Sequence, residues 1–158
     1  MPCQRHVPGF EQSFLSDTAV QLGARETRHM LGEHTLTGTD VTSGARFADA
    51  IAECAWPQEY HVTGRSTEYR FLPPGITYQV PYRSLLPHGP ANLLVAGRCV
   101  SADHHALASV RVMAPCLAMG QAAGTAAALA SRDTEGRVVD IDVEELQNDL
   151  RRNGARLE

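Results

Sequence analysis

Lysine is missing: all 14 positive residues among the 158 are arginines. That absence excludes Schiff-base lysine chemistry and the phosphate-binding lysine of a P-loop. No two of the 13 glycines stand two positions apart, so the chain has no G-x-G-x-x-G dinucleotide fingerprint. The four cysteines, Cys3, Cys54, Cys99 and Cys116, contain no C-x-x-C pair, which removes a redox couple and a zinc ribbon and suits a reducing compartment. Excess positive charge is lacking too: a net charge of −4 and a pI near 6.0 argue against nucleic acid or an anionic membrane as partner. The first ten residues, MPCQRHVPGF, lack the apolar core of a signal peptide, so a cytoplasmic location is expected. What is present is globular in character, with 43% hydrophobic and 20% charged residues.

Residues 1–10 read as a loose entry. EQSFLSDTAVQLG places Phe14, Leu15, Ala19 and Leu22 at near-helical spacing and predicts a helix ending at Gly23. ETRHMLGEHTLTGTDV predicts a strand, followed by Thr37 or Thr39 capping a short helix near Asp40. ARFADAIAECAW sets Phe47, Ala50, Ile51 and Cys54 on one helical face, and Pro57 stops that element. From His61 to Leu86 the β-branched and aromatic residues predict two or three short antiparallel strands, TYQVPYRSLLP being the best of them. NLLVAG reads as a buried strand over Leu93 to Ala96 that ends in a tight turn at Gly97. A long loop and an alanine-rich helix from about Met113 to Ser131 follow. The tail has Asp142 as a cap before Val143, Leu146 and Leu150, with Gly154 past the last turn.

Strand, glycine, polar loop and helix N-terminus form an arrangement suited to an anion or a polarisable ring, because first-turn N–H groups lack partners and the macrodipole is positive there. Pro115 suits an early helical position. Gly120, Gly124 and Ala128 form a flat stripe for close packing, and Gly124→Leu is expected to destabilise the chain by overpacking. The bland alternatives are an ordinary buried helix of an α/β layer and a membrane span, the latter opposed by the weak transfer energy of Ala, Gly, Gln121 and Thr125.

PYRSLLPHGPANLLVAGRCVSADHHALASVRVMAPCLAMGQAAGTAAALA, with RETRHMLGEHTLTGTDV upstream, resembles the C-terminal part of the FAD-dependent oxidoreductases whose flavin domain is of the glutathione reductase and fumarate reductase type. The resemblance covers residues 20 to 153 and implies an α/β class: the C-terminal fragment of an FAD/NAD(P)-binding, Rossmann-like flavoprotein fold. Residues 1–86 would be the remnant of an α+β substrate or cap domain with antiparallel strands, and 87–158 the C-terminal part of the FAD-binding domain. It also implies that Gly97 and Arg98 run beside the cofactor and that Ser101 lies on the flavin side. Arg111, Val112 and Met113 would bring backbone N–H groups to the pyrimidine edge of the ring, where the helix dipole stabilises reduced flavin. His105 stands where such proteins often have Glu, Ala108 where they have Gly, and MAPC where MPTC is more usual.

The side chains leave alternatives open. Asp103, His104 and His105 beside Cys99 invite a metal, but adjacent histidines rarely aim both rings at one ion, and no metal is expected. His104 and His105 are candidate acids or bases next to the flavin, or hydrogen-bonded loop residues. Arg111 is a candidate for compensating reduced flavin or a substrate carboxylate, or forms a salt bridge at the helix mouth; Arg83 has the same two readings. Cys99 and Cys116 are expected to be small buried packing residues. Arg25, Glu26 and Arg28 read as a solvated ion-pair face. The expected function is hydride transfer between a small-molecule substrate and FAD, the cofactor being bound weakly or not at all by this chain alone. An N-terminal FAD-binding domain or subunit, and a second copy of the chain, are the expected protein partners. A truncated, non-catalytic interaction module is the alternative.

Overall fold

Residues 6–21, 23–61, 64 and 66–157 are described by the computed structural model. In chain order the elements are helix α1 (Gly38–Ser43), strands β1 (Ala50–Cys54), β2 (Gln58–Tyr60), β3 (Glu68–Arg70) and β4 (Tyr78–Pro81), then helices α2 (His104–Val110), α3 (Met113–Asp133) and α4 (Val143–Arg152). Short 3-10 turns lie at Tyr82–Leu85, Gly97–Cys99 and Val138–Asp140. The architecture mixes helices with two small antiparallel sheets, β1 with β4 and β2 with β3. Among the described residues the parallel pairing is a single bridge, Leu36 to Ala102.

Helix ends follow the side chains that satisfy their free N–H groups. Thr37 Oγ1 accepts from Asp40 N at 3.2 Å while the Asp40 carboxylate accepts from Thr37 N at 2.8 Å, a capping box that starts α1. Asp142 accepts from Glu144 N and Glu145 N at 2.8 and 3.2 Å and starts α4, whose Leu146 and Leu150 are buried.

Four predicted elements are corrected. The strand expected ahead of Thr37 is reduced to two isolated bridges, Gly32 to Pro87 and Leu36 to Ala102, because no neighbouring segment continues either pairing among the described residues. Residues 11–21 form no helix, and Leu22 lies outside the described residues. Phe14 and Val20 stand exposed, so no neighbour buries the apolar stripe, and Ser13 and Asp17 spend their side chains on local backbone groups instead. Ala50 to Cys54 is a strand and not the back of a helix. Its short apolar run is buried on both faces, a pattern that periodicity does not separate from a helix, and pairing with β4 decides it. Asn92 to Ala96 is not a strand either. Val95 N donates to Leu85 O at 2.9 Å, but no strand of the described residues runs alongside, and Leu93 is exposed.

One buried cluster joins the two halves of the chain: Leu36, Ile51, Tyr78 and Leu85 pack with Leu107, Met119, Leu146 and Leu150. In α3 the residues Pro115, Met119, Ala122, Ala126 and Leu129 recur on one face and are buried, and this helix packs on β1 and α4. The opposite face is open, with Met113 82% and Leu117 74% exposed and Gly120 and Gly124 beside them. A Cβ built on either glycine meets nothing within 4 Å, so the expected overpacking by Gly124→Leu is corrected: inside this chain there is nothing to overpack. By length and composition α3 is long and apolar enough to cross a bilayer.

Candidate functional site

The loop after Ala102 is shorter than the sequence suggests because it contains α2. Asp103 caps that helix by accepting from Ala106 N at 2.7 Å, and the same carboxylate accepts from Gly38 N at 3.1 and 3.0 Å. One side chain therefore ties the starts of α1 and α2 together. Only glycine permits this approach, since a Cβ at position 38 would lie 2.4 Å from His105 Cβ. The consequence is that His104 and His105 occupy the exposed first turn of α2.

Both rings are held. Tyr60 Oη lies 3.0 Å from His105 Nδ1, and Gln58 donates to the His105 carbonyl at 3.0 Å. His104 Nδ1 lies 2.7 Å from Glu26 Oε2, while Glu26 Oε1 is 3.2 Å from His29 Nε2.

Arg111 ends α2 and Val112 begins α3, so two helices meet at one dipeptide. The N–H groups of Met113 and Ala114 belong to the first turn of α3 and have no intrahelical acceptor, and Pro115 has no N–H to satisfy. Arg111 Nη2 donates to Glu59 O at 3.0 Å, which fixes the guanidinium over β2. These groups, with Arg25, Trp56 and Arg98, line an open cleft of about 540 Å³. Trp56 is anchored from the core: Ser109 Oγ donates to the Trp56 carbonyl at 2.6 Å, leaving Tyr78 Oη, 2.7 Å away, to donate to Ser109. Arg25 hydrogen-bonds His61 and pairs with Glu59 at 3.6 Å, and Arg98 donates to Ala24 O. Three guanidinium groups face one carboxylate, Glu59, across this cleft, which gives it a positive potential toward an electron-rich ring.

A smaller cleft of about 240 Å³ shares Arg25, Glu59 and Arg111 with the first and adds Glu26, Tyr60 and His104. The two cavities thus lie on either side of one charged wall.

The structure brings Arg98, Arg111, Val112 and Met113 to the larger cleft and His104 to the smaller. Gly97, at φ +78°, turns the chain so that Arg98 faces out, with Cys116 Sγ 4.0 Å from its hypothetical Cβ. His105 lies in a separate recess with Asp103 and Arg70. Ser101 is buried, its hydroxyl accepting from Gly32 N and contacting Thr35 Oγ1 at 3.1 Å each, and it lines neither cleft. Arg83 pairs with Asp49 at 2.9 Å, away from both clefts. Cys99 is exposed and Cys116 half-buried, correcting the expectation that both are packed inside; the missing strand before Gly97 leaves Cys99 on a surface turn. Cys54 is the buried thiol, pushed up to about 12 chiefly by that burial. Among the described residues no three His, Cys, Asp or Glu side chains gather to hold a metal ion.

Sequence reasoning missed Trp56, Glu59 and Tyr60 as site residues, and it read Arg25 and Glu26 as solvated. The sole tryptophan next to a proline was the one available signal. Nothing in the spacing shows that residues 24–29 fold across α2.

Against this geometry the sequence matches the FAD dependent oxidoreductase family over residues 3–150. The chain belongs to that family. No curated protein and no solved structure matches it. Family membership implies FAD in the complete protein. The larger cleft fits the tricyclic ring in chemistry: Trp56, Val112 and Met113 offer apolar wall, Met113 and Ala114 offer the first-turn N–H groups of α3, and the guanidinium groups offer positive charge.

Proposed function

We propose that this chain supplies the ring side of the FAD site of an oxidoreductase with a Rossmann-like nucleotide-binding part, transferring a hydride between flavin and a small-molecule substrate. The observation that carries the proposal is the larger cleft, where α3's first turn and Arg111 converge beside Trp56. FAD, when bound, supplies the two-electron chemistry. The chain's own part is positional and electrostatic. Met113 and Ala114 donate toward the ring edge, the α3 dipole and Arg111 favour added negative charge, and Trp56 and Val112 exclude water from one face. His104 lies across the Arg25–Glu59–Arg111 wall and holds or accepts a proton at its free ring nitrogen. The ADP half of FAD is assigned to a nucleotide-binding domain or subunit, since the chain carries no glycine fingerprint.

The test is a titration with oxidised and with reduced FAD, followed by calorimetry, on the chain and on Arg111→Met. Arg111→Met is expected to weaken binding of reduced FAD by about tenfold more than binding of oxidised FAD, the size of one charge-assisted hydrogen bond. Equal losses for the two forms would remove Arg111 from the ring site. Binding of neither form by the chain would favour a second reading, an interaction module docking through the open Met113 and Leu117 face of α3.

A further inference from the structure

Arg25, Arg28 and Arg98 converge on a further cleft of about 480 Å³, and no acidic residue is among the described ones that line it. The chain as a whole carries a net charge of −4, so this concentration of positive charge is local. Neighbouring carboxylates do not cancel it. Glu26, which the sequence sets between Arg25 and Arg28, turns instead to His29 and His104, at 3.2 and 2.7 Å. Arg25 shares Glu59 with His61, at 3.6 and 2.8 Å. Arg98 donates to a carbonyl, Ala24 O, which holds the guanidinium without neutralising it. Arg28 has no hydrogen bond or ion pair among the described residues. Like charges gathered without an acid repel one another, and an anion between them relieves that repulsion. The walls are fixed before any ligand arrives: the Arg98 contact pins Ala24 to the turn at Gly97–Cys99, and Met30 N donates to Cys99 O at 3.0 Å.

We infer that this cleft is a site for a phosphate monoester, the charged end of the small-molecule substrate. That the phosphate belongs to the substrate rests on the flavin reading above. Charge selects the group: Arg28 and Arg98 leave two positive charges unmatched, a phosphate monoester carries roughly two negative ones at neutral pH, and a single carboxylate carries one. Shape agrees, because planar guanidinium forks grip phosphate oxygens in pairs, and Gln21 and Thr27 add an amide and a hydroxyl as further donors. The cavity is larger than one phosphate group, so it encloses part of the attached molecule as well. Arg25 and Arg98 also line the flavin-ring cleft, so the two cavities adjoin, and a molecule anchored by its phosphate reaches the ring with its other end. Such an anchor holds the reacting carbon in place while taking no part in the hydride transfer itself.

NMR of the arginine side-chain Nε–H groups in the nitrogen-15-labelled chain, with ethyl phosphate as the probe, tests this site without any flavin. Saturable shifts of the Arg25, Arg28 and Arg98 signals are expected, with that of Arg151, which lies on α4 outside the cleft, unmoved. Arg28→Gln is expected to weaken ethyl phosphate about tenfold, the size of one charge-assisted hydrogen bond. Arg151→Gln removes the same charge elsewhere and is expected to leave the affinity unchanged. Absence of saturable shifts, equal loss in the two variants, or propionate binding as tightly as ethyl phosphate overturns the assignment. Added FAD separates the two sources of phosphate: ethyl phosphate that stays bound supports the substrate, and displacement assigns the cleft to the cofactor's own phosphates and overturns the proposal. The flavin reading has its own readout, quenching of Trp56 by riboflavin, which carries the ring and no phosphate. Arg28 lines the phosphate cleft and not the ring cleft, so Arg28→Gln is expected to leave that quenching unmoved, and the two readings fail separately.

Discussion

Asp49 and Arg83 show how far one pair of residues is set by its surroundings. Burial acts to raise the Asp49 carboxyl, but the Arg83 hydrogen bonds and charge outweigh it and hold the group below its ordinary value. The guanidinium reaches both carboxylate oxygens, at 2.9 and 3.2 Å, and Arg83 N adds a third donor at 3.1 Å. A depressed carboxyl stabilises the fold above its unfolded value, roughly pH 4 for an aspartate, and the contribution is lost as pH falls through the lower folded value. Asp49→Asn is therefore expected to lower the melting temperature at neutral pH, with the gap to the unmodified chain closing in acid; a gap that is constant with pH would contradict the assignment. Residues of this kind were half legible in sequence. Arg111 and His104 could be named because the resemblance to the flavoproteins covers the segment that holds them. Glu26 could not, because its role depends on residues 24–29 crossing α2, a contact separated by 78 positions from His104.

Elements with local start and stop signals were the legible ones. Asp142, Thr37 and the alanine-rich run fixed α4, α1 and α3 through caps and composition, which act within a few residues. Elements that depend on a partner were not: Ala50 to Cys54 became a strand because Tyr78 to Pro81 lies beside it, and Leu93 to Ala96 failed to become one because no strand of the described residues runs alongside it. The two faces of α3 carry a prediction at this scale. Gly124→Ala is expected to stabilise the chain by about 0.5–1 kcal/mol, since an exposed helical glycine gains from a Cβ that meets nothing. Ala122→Leu, on the fully buried face, is expected to destabilise by about 1–3 kcal/mol through overpacking. Denaturant melts that rank these two variants in the opposite order would show that the buried face of α3 has been assigned to the wrong side.

At the scale of the whole molecule, a single core links sequence that reads as two domain remnants, and both clefts open where β2, α2 and the start of α3 meet segment 24–29. The family, the alanine helix and the Arg111 to Met113 segment were legible from motifs. The second cleft was not, because its wall is assembled from residues 25, 59 and 111, which only the fold brings together. Trp56, the sole tryptophan, lines the larger cleft and reports on it directly. The measurement to make is its fluorescence during titration with FMN, which carries the flavin ring without the adenylate, and in parallel with ADP, which carries the adenylate without the ring. Saturable quenching by FMN, with no response to ADP, is the predicted result; quenching by ADP, or none by FMN at any concentration reached, would contradict placing the flavin ring against Trp56 and the first turn of α3.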